Sequence, residues 1–91
     1  MSVAEAELVI CNQKGLHARA AAAFVKCIAS FNSEVTVEKD GQEVDGCSIL
    51  SLMMLAASKG TTVKVRAEGE DAEEVISAVR ELVNAKFGEE Q

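Results

Sequence analysis

Four stretches of the chain carry apolar side chains on alternate or consecutive positions, and three carry them at the spacing of a helix face. Residues 6–11, with Leu8, Val9, Ile10 and Cys11, are apolar and β-branched enough for a strand. Residues 34–38 alternate polar and apolar, which predicts a half-buried strand with Val35 and Val37 inward. Asp40-Gly41 signals a hairpin turn into a short returning strand over 42–45. Residues 61–67 alternate again, aiming Val63, Val65 and Ala67 at the core.

Helical spacing joins Ala21, Phe24, Val25, Ile28 and Phe31 within residues 18–31, with Asn32 and Ser33 breaking the pattern. It returns at Ala72, Val75, Ile76, Val79, Leu82 and Val83. Asp71 and Glu74 predict a capping box for that last helix, whose start is crowded with acids and whose end carries Lys86. Between these helices, residues 48–57 are apolar almost all round. A short helix on a one-sided sheet cannot bury every face, so part of it is expected to stay exposed as a docking surface with flexible methionines. Gly60 suits the left-handed cap at its end.

The resulting order is strand, helix, strand, strand, helix, strand, helix. An α+β fold satisfies it, with a four-stranded antiparallel sheet carrying three helices on one face. Ninety-one residues suffice for one small core, so a single domain over 1–91 is expected, with 1–4 and 88–91 frayed.

Chemistry concentrates where the first strand turns into the first helix. Gly15 punctuates that turn, and His17, the sole histidine, falls at or next to the helix N-cap. The first amides of a helix lack internal partners and carry the positive end of its dipole. The free N–H groups of Ala18 and Arg19 can therefore converge on an anion beside the imidazole, and Arg19 adds a guanidinium suited to phosphate oxygens. With no metal-ligand spacing and no second histidine, acceptance and donation of an anionic group by His17 is the chemistry favoured. Neither a metal nor a cofactor is expected.

A net charge of −6 argues against nucleic acid or an anionic membrane as partner. Cys11, Cys27 and Cys47 form no C-x-x-C pair, and no leader or long apolar run precedes them, so reduced thiols in the cytoplasm are expected. Cys11 and Cys27 read as buried small hydrophobes.

Gly15-Leu16-His17-Ala18-Arg19, with Asn12 ahead and residues 21–26 behind, resembles the active-site segment of the HPr/NPr family, the histidine-containing phosphocarriers of the bacterial phosphotransferase system. The resemblance covers nearly the whole chain. It implies an HPr-like open-faced β-sandwich of order βαββαβα and a phosphoryl-transfer intermediate rather than a stand-alone catalyst. His17 would accept the group on Nδ1 from phospho-enzyme I, charged from phosphoenolpyruvate, and pass it to a histidine of an EIIA-type protein, in sugar uptake or nitrogen-branch regulation. Docking would fall to Leu16, Ala22, Lys26, Ile49, Leu50 and Met53, with Leu52 and Leu55 inward. A monomer without membrane insertion is expected.

Two positions depart from the family pattern. Ala20 replaces a frequent proline, which a helix first turn accommodates but does not require. Ser48, readable as a helix N-cap, matches the serine modified by HPr kinase/phosphorylase, yet Cys47 before it stands where many members have a basic residue. Two other readings stay open from sequence: a regulatory or ligand-binding α/β module without phosphoryl transfer, and a prosthetic-group carrier at Ser48.

Overall fold

The computed structural model describes residues 2–90. In chain order the strands and helices are β1 (Ser2–Val9), α1 (Ala18–Ile28), β2 (Glu34–Lys39), β3 (Gln42–Asp45), α2 (Ile49–Met54), β4 (Thr62–Gly69) and α3 (Ala72–Asn84), followed by a 3₁₀ turn at Lys86–Gly88. The strands form one antiparallel sheet in the order β1-β4-β2-β3. Three helices pack on one face of it, as the element order predicted.

Register explains why that face is chosen. Ala6, Val65, Val37 and Val44 lie opposite one another across the four strands, forming an apolar row. The neighbouring row is Glu7, Lys64, Glu38 and Glu43. Because side chains alternate between faces, a one-residue slip would exchange these rows, placing four charge-bearing side chains in the core. Val35, Val37, Val63 and Val65 are buried there against Phe24 and Ile28 of α1, Leu52 of α2, and Val75, Val79 and Val83 of α3. Each such side chain contributes about 1.5–3 kcal/mol by leaving water. On the outer face Glu5 meets Lys64 at 3.7 Å and Arg66 at 3.5 Å, exposed pairs of small energetic weight.

The structure corrects several local expectations. Ser2, Val3 and Ala4, expected to fray, pair with Gly69, Glu68 and Ala67, so β1 begins earlier and ends two residues sooner than the apolar run indicated. At the other end Glu89, also expected to fray, is held by side chains of the β1–α1 turn. Met1 and Gln91 lie outside the described residues. α1 stops at Ile28, although Phe31 still packs on the core.

The end of α2 has a tertiary cause. Lys39, on β2, donates from Nζ to the carbonyls of Leu55 at 3.0 Å and Ala56 at 3.3 Å, and Ala56 itself takes a left-handed conformation at φ 54°. Helix geometry is lost there, several residues before Gly60. Gly60 instead belongs to the turn leading into β4, where Thr61 donates to the Ser58 carbonyl.

Asp71 forms no capping box. Its carboxylate accepts from the Ser33 hydroxyl and from the Asn32 amide at 2.8 Å, tying the α1–β2 connection to the start of α3. These two donors, the hydroxyl foremost, hold its carboxyl below the usual carboxylate range. A partner distant in sequence has outcompeted the local amide.

Candidate functional site

The β1–α1 connection is folded by backbone contacts with the segment after α2. Ile10 and Gly60–Thr61 exchange hydrogen bonds at 2.9 and 2.8 Å, and Leu16 donates to the Ala57 carbonyl at 2.8 Å. Gly15 passes so close to that segment that a Cβ would stand 2.5 Å from the Ala57 oxygen, at a φ of +67° that side chains disfavour. Glycine is required here on both counts.

The chain then places His17 at the N-cap of α1 with extended backbone, φ −84° and ψ −175°. Nδ1 accepts from the Arg19 amide at 3.4 Å, so the imidazole itself occupies the site of a capping oxygen. Ala20, in the place of the frequent proline, is fully buried in the first turn, and the helix forms from Ala18 without it. Ala18 and Arg19 are exposed, as a site open to a second protein requires.

The other ring nitrogen has a partner that the sequence reading did not anticipate. Nε2 of His17 is hydrogen-bonded to Oε2 of Glu89, 72 residues away. The second oxygen of that carboxylate accepts from Nδ2 of Asn12 at 2.9 Å, and the same amide group donates to the Gly15 carbonyl at 2.8 Å. Asn12 is fully buried. The Asn12 bond is the largest influence holding the Glu89 carboxyl below its ordinary range, with His17 and Arg19 adding to it against the cost of burial. An ionised Glu89 accepts only, so Nε2 carries the ring proton and Nδ1 keeps its lone pair toward the helix amides.

Beside this pair lies an open cleft of about 400 Å³ lined by Gln13, Lys14, Arg19, Glu89 and Glu90. Lys14 and Arg19 supply two cations at its wall, and Arg19 makes no ion pair among the described residues. No cluster of His, Cys, Asp or Glu among the described residues is arranged to hold a metal ion.

Ser48 is the N-cap of α2, its hydroxyl accepting from the Ser51 amide at 3.2 Å. Just ahead, the Asp45 carboxylate accepts from the Cys47 amide at 2.8 Å. Ser48 is half-buried and Cys47 exposed. Burial and the nearby Asp45 charge both push the Cys47 thiol up, which keeps it protonated.

Of the residues assigned to docking, Ile49, Leu50 and Met53 are exposed on α2, Leu50 to 68%, and Ala22 and Lys26 are exposed on α1, which packs beside α2. Met54 extends the same apolar patch. Leu52 and Leu55 point inward as expected. Leu16 is the correction: only 6% exposed, its side chain is drawn into the core, and it offers no surface to a partner. Cys11 and Cys27 are only partly buried, with the Cys11 thiol donating to the Val83 carbonyl at 3.1 Å.

Glu89 and the anchoring role of Asn12 were missed because no local pattern encodes them. A terminal Glu-Glu-Gln reads as a solvated tail, and only the α3 end and the 3₁₀ turn carry it back to His17.

Comparison with known proteins agrees with this geometry. Residues 4–85 match the family described as PTS HPr component phosphorylation site. Phosphocarrier protein HPr of Xylella fastidiosa is 43% identical over 86 residues, covering 94% of this chain and 97% of that protein. Phosphocarrier protein NPr of Shewanella violacea is 36% identical over 89 residues, covering 98% of both. The crystal structure of an HPr from Thermoanaerobacter tengcongensis superposes with a TM-score of 0.92 at 46% identity, covering 97% of this chain and 99% of that one. On its sequence, its βαββαβα sheet and the histidine at the start of its first helix, the chain belongs to the HPr family of phosphotransferase-system phosphocarriers.

Proposed function

We propose that His17 is the phosphorylated residue of this carrier, taking a phosphoryl group from phospho-enzyme I and passing it to an EIIA-type protein. The observation that carries this reading is the placement of Nδ1 at the N-terminus of an eleven-residue helix, with its lone pair directed to the Arg19 amide and away from the carboxylate that holds Nε2. Nδ1 attacks phosphorus in line with the leaving nitrogen of the donor, whose N–P electron pair returns to the donor ring. The amides of Ala18 and Arg19 and the Arg19 guanidinium then lie where the phosphoryl oxygens need donors. Attack requires the Nδ1–amide bond to open, and a 3.4 Å bond costs little to break.

Transfer in both directions needs a site that partners can reach. Ala22 and Lys26 on α1 and Ile49, Leu50 and Met53 on α2 form the docking face in this reading, an apolar centre beside a cation. Ser48, at the edge of that face, is the position where an HPr kinase/phosphorylase would add a second phosphate. Its helix N-terminus favours such a charge and Asp45 opposes it. The carrier is read as one domain spanning the chain, monomeric between transfers and cytoplasmic. No helix among the described residues is long and apolar enough to cross a membrane.

The test is labelling from phosphoenolpyruvate through purified enzyme I. Wild type should take up acid-labile, alkali-stable label and His17→Ala none while keeping its fold. Label retained by His17→Ala would end the assignment.

A further inference from the structure

Resting on the assignment of His17 as phosphoacceptor, we propose that Glu89 is a positioning residue for phosphoryl transfer, holding the Nε2 proton of His17 so that Nδ1 meets the donor as a free lone pair. The geometry is a three-member relay of contacts: buried Asn12 donates to one oxygen of Glu89, and the other oxygen accepts from the imidazole. Holding one ring nitrogen fixes both the tautomer and the rotation of the ring about its bond to the chain.

The proton inventory shows why this matters. A ring bearing its proton on Nδ1 has no nucleophile facing the helix amides and must lose that proton first. With the proton on Nε2, the N–P bond forms at Nδ1 as the donor's N–P bond breaks, and no proton moves. The phosphorylated ring is then a cation with its Nε2–H still on Glu89, so the carboxylate gains an opposite charge just as the group arrives. Onward transfer discharges the ring by the same path reversed.

The other charged groups near the ring do not substitute for Glu89. Arg19 and Lys14 repel a proton from the cleft, and Glu90 lines it without a bond to the imidazole. The Arg19 amide favours the same tautomer, but at 3.4 Å it leaves ring rotation weakly constrained. His17 is 26% exposed and Glu89 12%, so water competes for this bond and the effect is moderate rather than absolute.

The test compares wild type, Glu89→Ala and Glu89→Gln, with the imidazole nitrogens labelled for NMR and single-turnover transfer followed from phosphorylated enzyme I. Wild type should show a downfield Nε2 proton that exchanges slowly at low temperature. In Glu89→Ala that resonance should vanish and the transfer rate constant should fall roughly tenfold, the scale of one charge-assisted hydrogen bond at a partly wet site, with the donor KM nearly unchanged. Glu89→Gln, whose carbonyl still accepts, should recover the resonance and part of the rate. An unchanged resonance or an unchanged rate in Glu89→Ala overturns the proposal. Failure of wild type itself to take up label would instead overturn the assignment of His17.

Discussion

Gly15→Ala separates the steric requirement at the active turn from the conformational one. The new methyl would sit 2.5 Å from the Ala57 oxygen and 2.8 Å from the Ser58 Cα, both backbone atoms that cannot rotate away. Placing alanine at φ +67° costs about 1 kcal/mol by itself, and forcing the two segments apart adds about 1–3 kcal/mol of overpacking. Gly60→Ala is the matched control, because its φ is +90° while no atom lies within 4 Å of the added carbon. It should pay the conformational part alone, about 1 kcal/mol. For a chain of this size 1 kcal/mol moves Tm by about 4–8 °C, so Gly15→Ala should melt roughly 8–30 °C below wild type and Gly60→Ala roughly 4–8 °C below. The chain has no tryptophan or tyrosine, so far-UV circular dichroism supplies the signal. Because the Leu16 amide bond to Ala57 sits in the same contact, Gly15→Ala should also slow phosphoryl transfer by displacing His17. Equal melting points for the two variants would refute the steric argument.

The two sides of α2 should separate stability from docking. Leu52→Ala, at a fully buried position, should lose about 2–5 kcal/mol in urea titrations, whereas Leu50→Ala should stay within about 0.5 kcal/mol and weaken enzyme I binding measured by calorimetry. Ser48→Ala removes the hydroxyl that caps α2 and should cost about 1 kcal/mol, most of it regained in Ser48→Asp. Asp71 titrates below its unfolded value, so the stability it contributes is complete above about pH 4 and is lost as pH falls through the lower folded value. Asp71→Asn should flatten that acid limb in melting curves recorded from pH 5 to 2, and an unchanged limb would remove the role given to the Ser33 and Asn32 bonds.

Period and chemistry in the chain were enough to predict seven elements in the right order and the inward faces of β2 and β4, whereas the inward placement of Leu52 and Leu55 followed from the family resemblance. These are local or face-level properties: a strand with Val35 and Val37 on one side carries its orientation wherever it is placed. The histidine at the helix start was equally legible, because an N-cap is defined by its immediate neighbours in the chain. That α2 leaves part of its apolar surface exposed was legible too, since no arrangement of a six-residue helix on one sheet hides all of Ile49, Leu50, Met53 and Met54.

Tertiary structure decided what depends on groups distant in sequence. Asp71 abandoned the amides of its own helix for Ser33 and Asn32, α2 ended where Lys39 reached its carbonyls, and Leu16 went to the core because its amide is pinned to Ala57. The strand order β1-β4-β2-β3, which brings the first strand beside the last, sets α3 so that its C-terminal turn returns Glu89 to His17. A hydrogen bond acts only over about 3 Å and is indifferent to the 72 residues of chain between its partners, so this part of the site became visible only once the chain was folded.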